Sequence, residues 1–134
     1  MIAPIKSDYL LLFRGTDWDK GLSPEEIQKV MHQLMGWFEG LHRQGRIKAG
    51  QPLSEEGRTV SNHKGRTVAD GPFAESKEAV GGYLIVQAVD LDEAVAVAKG
   101  YPCLDCGASV EVRPVAGECP TFQRVKEQLA HAAA

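Results

Sequence analysis

An α+β fold, with two helices on one face of an antiparallel sheet, is predicted by three features of this 134-residue chain. Apolar runs at Asp8–Arg14 and Tyr83–Val89 are bounded by turn residues, as buried strands are. Two segments of helical spacing are each opened by capping residues and closed by glycine. The elements follow the order strand, helix, strand, small hairpin, strand, helix, strand.

The first strand is Asp8-Tyr9-Leu10-Leu11-Leu12-Phe13-Arg14, with Gly15 and Asp17 as its exit. Ser23-Pro24-Glu25-Glu26 starts the first helix. Ser23 is the cap, Pro24 suits the first helical position and Glu26 completes a capping box. Ile27, Val30, Leu34, Phe38 and Leu41 form its apolar stripe, and Gly45 closes it. Gly36 and Gly40 inside this helix read as sites of close packing, since each costs about 1 kcal/mol relative to Ala. Arg46–Gly50 alternates as a half-buried strand ending at Gln51-Pro52. Thr59-Val60 and Thr67-Val68 flank a hairpin turn at Asn62-His63-Lys64-Gly65. Asp90 caps the second helix, with Glu93 three residues on. Leu91, Ala94, Val95 and Ala98 are its apolar face, and Gly100 stops it. Ser109–Arg113 alternates as the last strand before Pro114, and a short helix is expected from Pro120 through Phe122, Val125 and Leu129.

This order is the split βαβ arrangement of a ferredoxin-like sheet, βαββαβ with an extra hairpin. Burial places strands 9–14 and 83–89 side by side in the middle, with 46–50 and 109–113 outside. Leu84, Val86, Ala88, Val110 and Val112 then face the helices, while Tyr83, Ile85, Gln87, Glu111 and Arg113 face away. The continuous run in the first strand leaves its phase open. Either Leu10 and Leu12, or Tyr9, Leu11 and Phe13, join the outward face. An apolar face of this kind calls for cover. A sheet-to-sheet homodimer is expected, with Ile85 and one of Tyr9, Leu11 or Phe13 among its contributors.

Length bounds the chain at one domain, residues 1–134, with a core of about 8–115 and a tail from 116 to 134. Hydrophobic content of 43% and charged content of 25% are ordinary for a globular protein. A formal charge of −3 with scattered Lys and Arg gives no nucleic-acid footprint. No membrane-length apolar run and no signal-peptide h-region are present, so the cytoplasm is the expected address. Three cysteines do not make a secreted disulfide framework. Cys103-Leu104-Asp105-Cys106 is a lone C-x-x-C in a loop before a strand, which carries no metal site and no cofactor.

Asp70-Gly71-Pro72-Phe73 is the sharpest local signal. Gly71 permits unusual backbone angles and Pro72 fixes φ, so the Asp70 carboxylate is held rigidly. It serves either as a general acid or base, or as a cap or Asx turn. Its carboxylate is expected at the edge of a concavity, within reach of at least one of Tyr83, Arg14, His42 or a hairpin residue. Arg14, Gln87, Glu111 and Arg113 form a polar group on the outward face. Glu111 either pairs with an arginine or lines a cavity for a polar or anionic ligand. Of the four histidines, His32, His42, His63 and His131, His42 sits near the first helix's end, where it either interacts with the helix dipole or takes a site role.

Asp70-Gly71-Pro72-Phe73-Ala74-Glu75-Ser76-Lys77-Glu78, followed by Gly81-Gly82-Tyr83, closely resembles the signature of the DGPF group within the YCII-related family. Tyr9–Phe13, Gly45-Arg46-Ile47, Gly50-Gln51-Pro52-Leu53, Leu91-Asp92-Glu93-Ala94 and Val110–Pro114 support the resemblance, which spans roughly residues 8 to 115. It implies a dimeric α+β barrel of ferredoxin-like halves, in small bacterial proteins. It also implies a pocket His on the first helix acting with an Asp. That helical position corresponds here to Leu34 or a neighbour, and His32 and His42 fall off its register. Asp70 carries over directly.

Two functions compete. One is an enzyme on a small polar metabolite, with Asp70 as acid/base and Arg14, His42, Tyr83 and Arg113 as ligand-binding residues. The other is a non-catalytic dimeric module that binds a ligand or protein, with a structural DGPF turn.

Overall fold

The computed structural model describes residues 5–62, 67–70 and 79–133, and residues 67–70 by their backbone alone. The elements are β1 (Ser7–Arg14), α1 (Pro24–Arg43), β2 (Ile47–Pro52), β3 (Arg58–Ser61), β4 (Thr67–Asp70), β5 (Val80–Ala88), α2 (Leu91–Lys99), β6 (Ser109–Pro114) and α3 (Pro120–Ala133). A four-stranded antiparallel sheet has the order β2-β5-β1-β6, while β3 and β4 pair separately. The two most apolar strands are central and the alternating ones take the edges, as burial requires. His63 and the Gly71–Glu78 part of the signature lie outside the described residues.

Strand register settles the phase of β1. Tyr9 stands opposite Val86, and Leu11 opposite both Leu84 and Val112. Residues directly opposite share a face, and this set forms the core. Leu11, Val86, Ala88 and Ala94 are fully buried, with Trp37 and Phe38 of α1 and Val97 of α2 packed against them. Both helices therefore lie on one face. Leu10 pairs with Ile85 and Arg113, and Leu12 with Tyr83 and Glu111, so these residues make the opposite, open face. Its apolar part comes from Leu10, Leu12 and Ile85, not from Tyr9, Leu11 and Phe13.

Local chemistry explains the helix ends. The Glu26 N–H donates to Ser23 Oγ (3.2 Å) and the Ser23 N–H donates to Glu26 Oε1 (3.0 Å), closing the capping box. Gly45 follows α1 with φ 70°, where a β-carbon is disfavoured. In α2 the Glu93 N–H donates to Asp90 Oδ1 at 2.8 Å. The Glu93 carboxylate does not return to the cap. It accepts from Arg46 Nη1 at 2.8 Å and ties α2 to the start of β2.

Three details differ from the sequence reading. Leu91, placed on the apolar face of α2, is 43% exposed. Ala94 and Ala98 are the buried pair, and their small side chains bring α2 close to the sheet. A β-carbon on Gly36 or Gly40 would meet nothing within 4 Å, so close packing does not account for either. The C-x-x-C segment is a 3-10 turn, Pro102–Cys106, closed by Gly107 at φ 90°. The tail helix forms as α3, with Phe122, Val125 and Leu129 exposed.

Candidate functional site

A cavity of about 540 Å³ opens where β1 ends, β2 ends and β5 begins. That volume suits a small organic molecule. Glycines allow the strands to close up there. A β-carbon on Gly50 would stand 2.5 Å from Leu84 Cδ2 and 2.8 Å from the Tyr83 carbonyl oxygen. One on Gly81 would stand 2.7 Å from Thr16 Cγ2, and one on Gly82 3.0 Å from the Gln51 carbonyl oxygen.

Aromatic rings build one wall. Phe13 lies 4.8 Å from Tyr101 between centroids, and Trp37 lies 5.4 Å from Tyr101, 5.1 Å from Phe38 and 6.1 Å from Phe13. Such offset and edge contacts hold each ring in place. Phe13, Phe38 and Tyr101 reach the cavity, joined by Trp18 and Leu34. Burial, with Cys103 beside it, pushes the Tyr101 phenol far above its ordinary pKa, so it stays a neutral hydroxyl.

Arg14, Tyr83, Gln51 and Glu55 supply the polar lining. Arg14 Nη2 donates to Glu111 Oε1 at 3.2 Å, and Arg113 Nε lies 4.0 Å from the other Glu111 oxygen. Glu111 thus stands between two arginines, the ion pair that strand phase had suggested. Arg14 belongs at once to the cavity and to the open face. Further along that face, Lys48 Nζ donates to Asp8 Oδ2 at 2.7 Å, and Gln87 Nε2 to Asp8 Oδ1 at 3.5 Å.

A second cavity of about 380 Å³ shares Thr16, Leu53, Glu55 and Gly81 with the first, and runs to Arg58 and Thr59 of the hairpin. Arg58 is the register partner of Asp70. The backbone of Asp70 is therefore one strand away from residues that line this cavity. Its carboxylate lies outside the described residues. His42 is exposed in the last turn of α1 and belongs to neither cavity. Arg113 is exposed on the open face. Of the proposed ligand residues, the structure brings Arg14 and Tyr83 together and leaves His42 and Arg113 outside the cavities.

Sequence reasoning missed the aromatic wall. Trp18 follows β1 and Tyr101 follows α2, in loops far apart in the chain. The available signal was topological, since both loops leave their elements at the same end of the sheet. Among the described residues no group of three His, Cys, Asp or Glu could hold a metal ion. Cys103, Cys106 and Cys119 are free thiols, with Cys103 fully buried. No helix among the described residues is long and apolar enough to cross a membrane.

The sequence profile of the YCII-related domain matches residues 9–116. The chain belongs to the YCII-related family. An uncharacterised protein of Rhizobium meliloti (strain 1021) is 32% identical over 107 residues, which cover 74% of this chain and 86% of that protein. The YCII-related match runs from β1 through β6 and includes every residue that lines the larger cavity. It ends before α3 begins. Leu34, at or near the place where the family resemblance implies a histidine, is one of those lining residues.

Proposed function

We propose that this YCII-related chain, a member of the DGPF group, binds a small metabolite with a flat apolar body and a hydrogen-bonding end. The aromatic-walled cavity carries the reading. Its rings offer stacking surface, and Arg14 offers donors. Arg14 already holds Glu111, so a neutral polar end suits it as well as an anionic one. The assembly proposed is a homodimer of ferredoxin-like halves that closes the open faces into an α+β barrel around Leu10, Leu12 and Ile85. Three free thiols fit a reducing cytoplasm.

Asp70 is the proposed acid or base, at the hairpin base beside the second cavity. Binding without catalysis is the second reading, and Leu34 favours it, because an aliphatic side chain cannot supply the proton-transfer partner that a histidine would. A metabolite-library thermal shift tests the site. A ligand that stabilises the wild type and not Leu34→Trp, which fills the cavity, supports it. Ligands that shift both equally, or no ligand at all, refute it. With a ligand in hand, Asp70→Asn separates the readings: binding kept with turnover lost assigns Asp70 the proton, whereas a ligand that the wild type leaves unchanged favours the binding module. Ile85→Asp, read by light scattering, tests the barrel, and an unchanged dimer refutes it.

A further inference from the structure

Residues 113–133 are exposed throughout. Within them α3 carries Phe122, Val125 and Leu129 at three- and four-residue steps, 66%, 39% and 65% exposed. A helix of 14 residues is marginal in water unless its apolar face is packed. Side-chain bonds fasten it to its own lead-in: Lys126 Nζ donates to Glu118 Oε1 at 2.6 Å, and Gln123 Nε2 to Glu118 Oε2 at 3.3 Å. These fix the start of the helix and leave the stripe bare.

The chain exposes 10017 Å², where a compact monomer of 14.5 kDa exposes about 6,900 Å². The excess includes the free surface of the exposed arm itself and is of the order of one chain's share of an obligate homodimer interface, roughly 1,000–2,500 Å².

We propose that α3 is an arm whose Phe122, Val125 and Leu129 stripe packs on a second copy of this chain. This rests on the homodimer reading above and adds to it. The arm leaves from the end of β6, where the Val115 N–H donates to the Asp8 carbonyl oxygen at 3.0 Å and prolongs the β6–β1 pairing. It therefore starts at the margin of the open face on which the two copies are proposed to meet. Its charges also suit self-association. Glu118, Arg124, Lys126 and Glu127 cancel, whereas the whole chain carries −3, so like copies repel least through this segment. The arm lies beyond the residues matched to the YCII-related domain, which end at 116.

The test is sedimentation equilibrium of the full chain carrying Phe122→Asp and Leu129→Asp, with Ile85→Asp in parallel. The expected result is a dimer Kd raised about 100-fold or more, with the near-UV spectrum of the aromatic cluster unchanged. An unchanged Kd overturns the arm, as does a wild type that is monomeric at tens of micromolar. Dissociation by the arm variant, with Ile85→Asp still dimeric, keeps the arm and refutes the sheet-face contact. The converse refutes the arm alone. Should the double variant misfold, hydrogen exchange on the wild type decides. Protection of the 123–130 amides that rises with protein concentration supports the arm. Protection independent of concentration, the mark of packing on its own chain or on nothing, overturns it.

Discussion

Replacing Gly36 and Gly40 with alanine should stabilise the protein. Both lie inside α1, and a β-carbon on either would have no heavy atom within 4 Å. No packing penalty therefore offsets the gain in helix propensity, about 1 kcal/mol for each glycine replaced. Over 134 residues the entropy of unfolding near the midpoint is about 280 cal/mol/K, so 1 kcal/mol moves Tm by about 3.5 °C. Each single variant should rise by about that amount and the double variant by about 7 °C. Differential scanning calorimetry reads the shift, and a urea m-value equal to the wild type's confirms that the surface exposed on unfolding is unchanged. A fall in Tm would refute the reasoning, because it would mean that some surface lies against this face of α1.

Gly50→Ala should act in the opposite sense. Its β-carbon falls 2.8 Å from a carbonyl oxygen of the neighbouring strand, which cannot yield as a side chain can. A loss of about 1–3 kcal/mol in urea unfolding is expected, and unchanged stability would contradict the close strand approach. In alkylation with iodoacetamide at neutral pH, Cys119 should react first and Cys103 only on unfolding. Backbone N–H groups of Phe122 and Thr121 hold the exposed Cys119 thiol below its ordinary pKa, while burial raises that of Cys103. Mass spectrometry showing the reverse order would refute this. Asp8 and Glu26 both titrate below their ordinary values, Asp8 through its bond from Lys48 and Glu26 through the Ser23 backbone N–H. Carboxylates depressed in the folded state stabilise it above their unfolded pKa and lose that effect as pH falls through the folded one. Tm should therefore drop as pH falls through and below the ordinary carboxylate range, and Asp8→Asn should flatten part of the drop. An unaltered pH profile would remove Asp8 from the account.

What was legible in the sequence followed from local rules. Ser23 with Glu26, Asp90 and Gly45 mark helix ends by chemistry confined to a few residues, and the structure places all of them so. The polarity of β1 and β5 fixed which strands are central. The phase of β1 was not legible, because Tyr9 through Phe13 are apolar on both faces and only the register against Val86 and Leu84 distinguishes them. Gly100 looked like a helix stop through backbone freedom. Its φ of −82° is ordinary, and its missing side chain makes room for Trp37 Nε1, which would stand 3.0 Å from a β-carbon. The Arg14–Glu111 pair was within reach of phase counting, whereas the contact of Phe13 with Tyr101 joins distant segments and appears only once the chain is folded.

The two outer strands of the sheet have a consequence for how the molecule can aggregate. A free strand edge invites another strand, and the invitation is usually blocked by charge, bulges and proline. Both edges here have such blocks. β2 shifts register between Ile47 and Ala49, carries Lys48 at that irregularity and ends on Pro52. β6 spans six residues and ends on Arg113 and Pro114, the latter without an N–H to offer. Ladder growth from chain to chain thus meets a shifted register on one side and a missing donor on the other. The proposed homodimer uses the open face and α3 instead, and contacts of that kind close on themselves at a finite size.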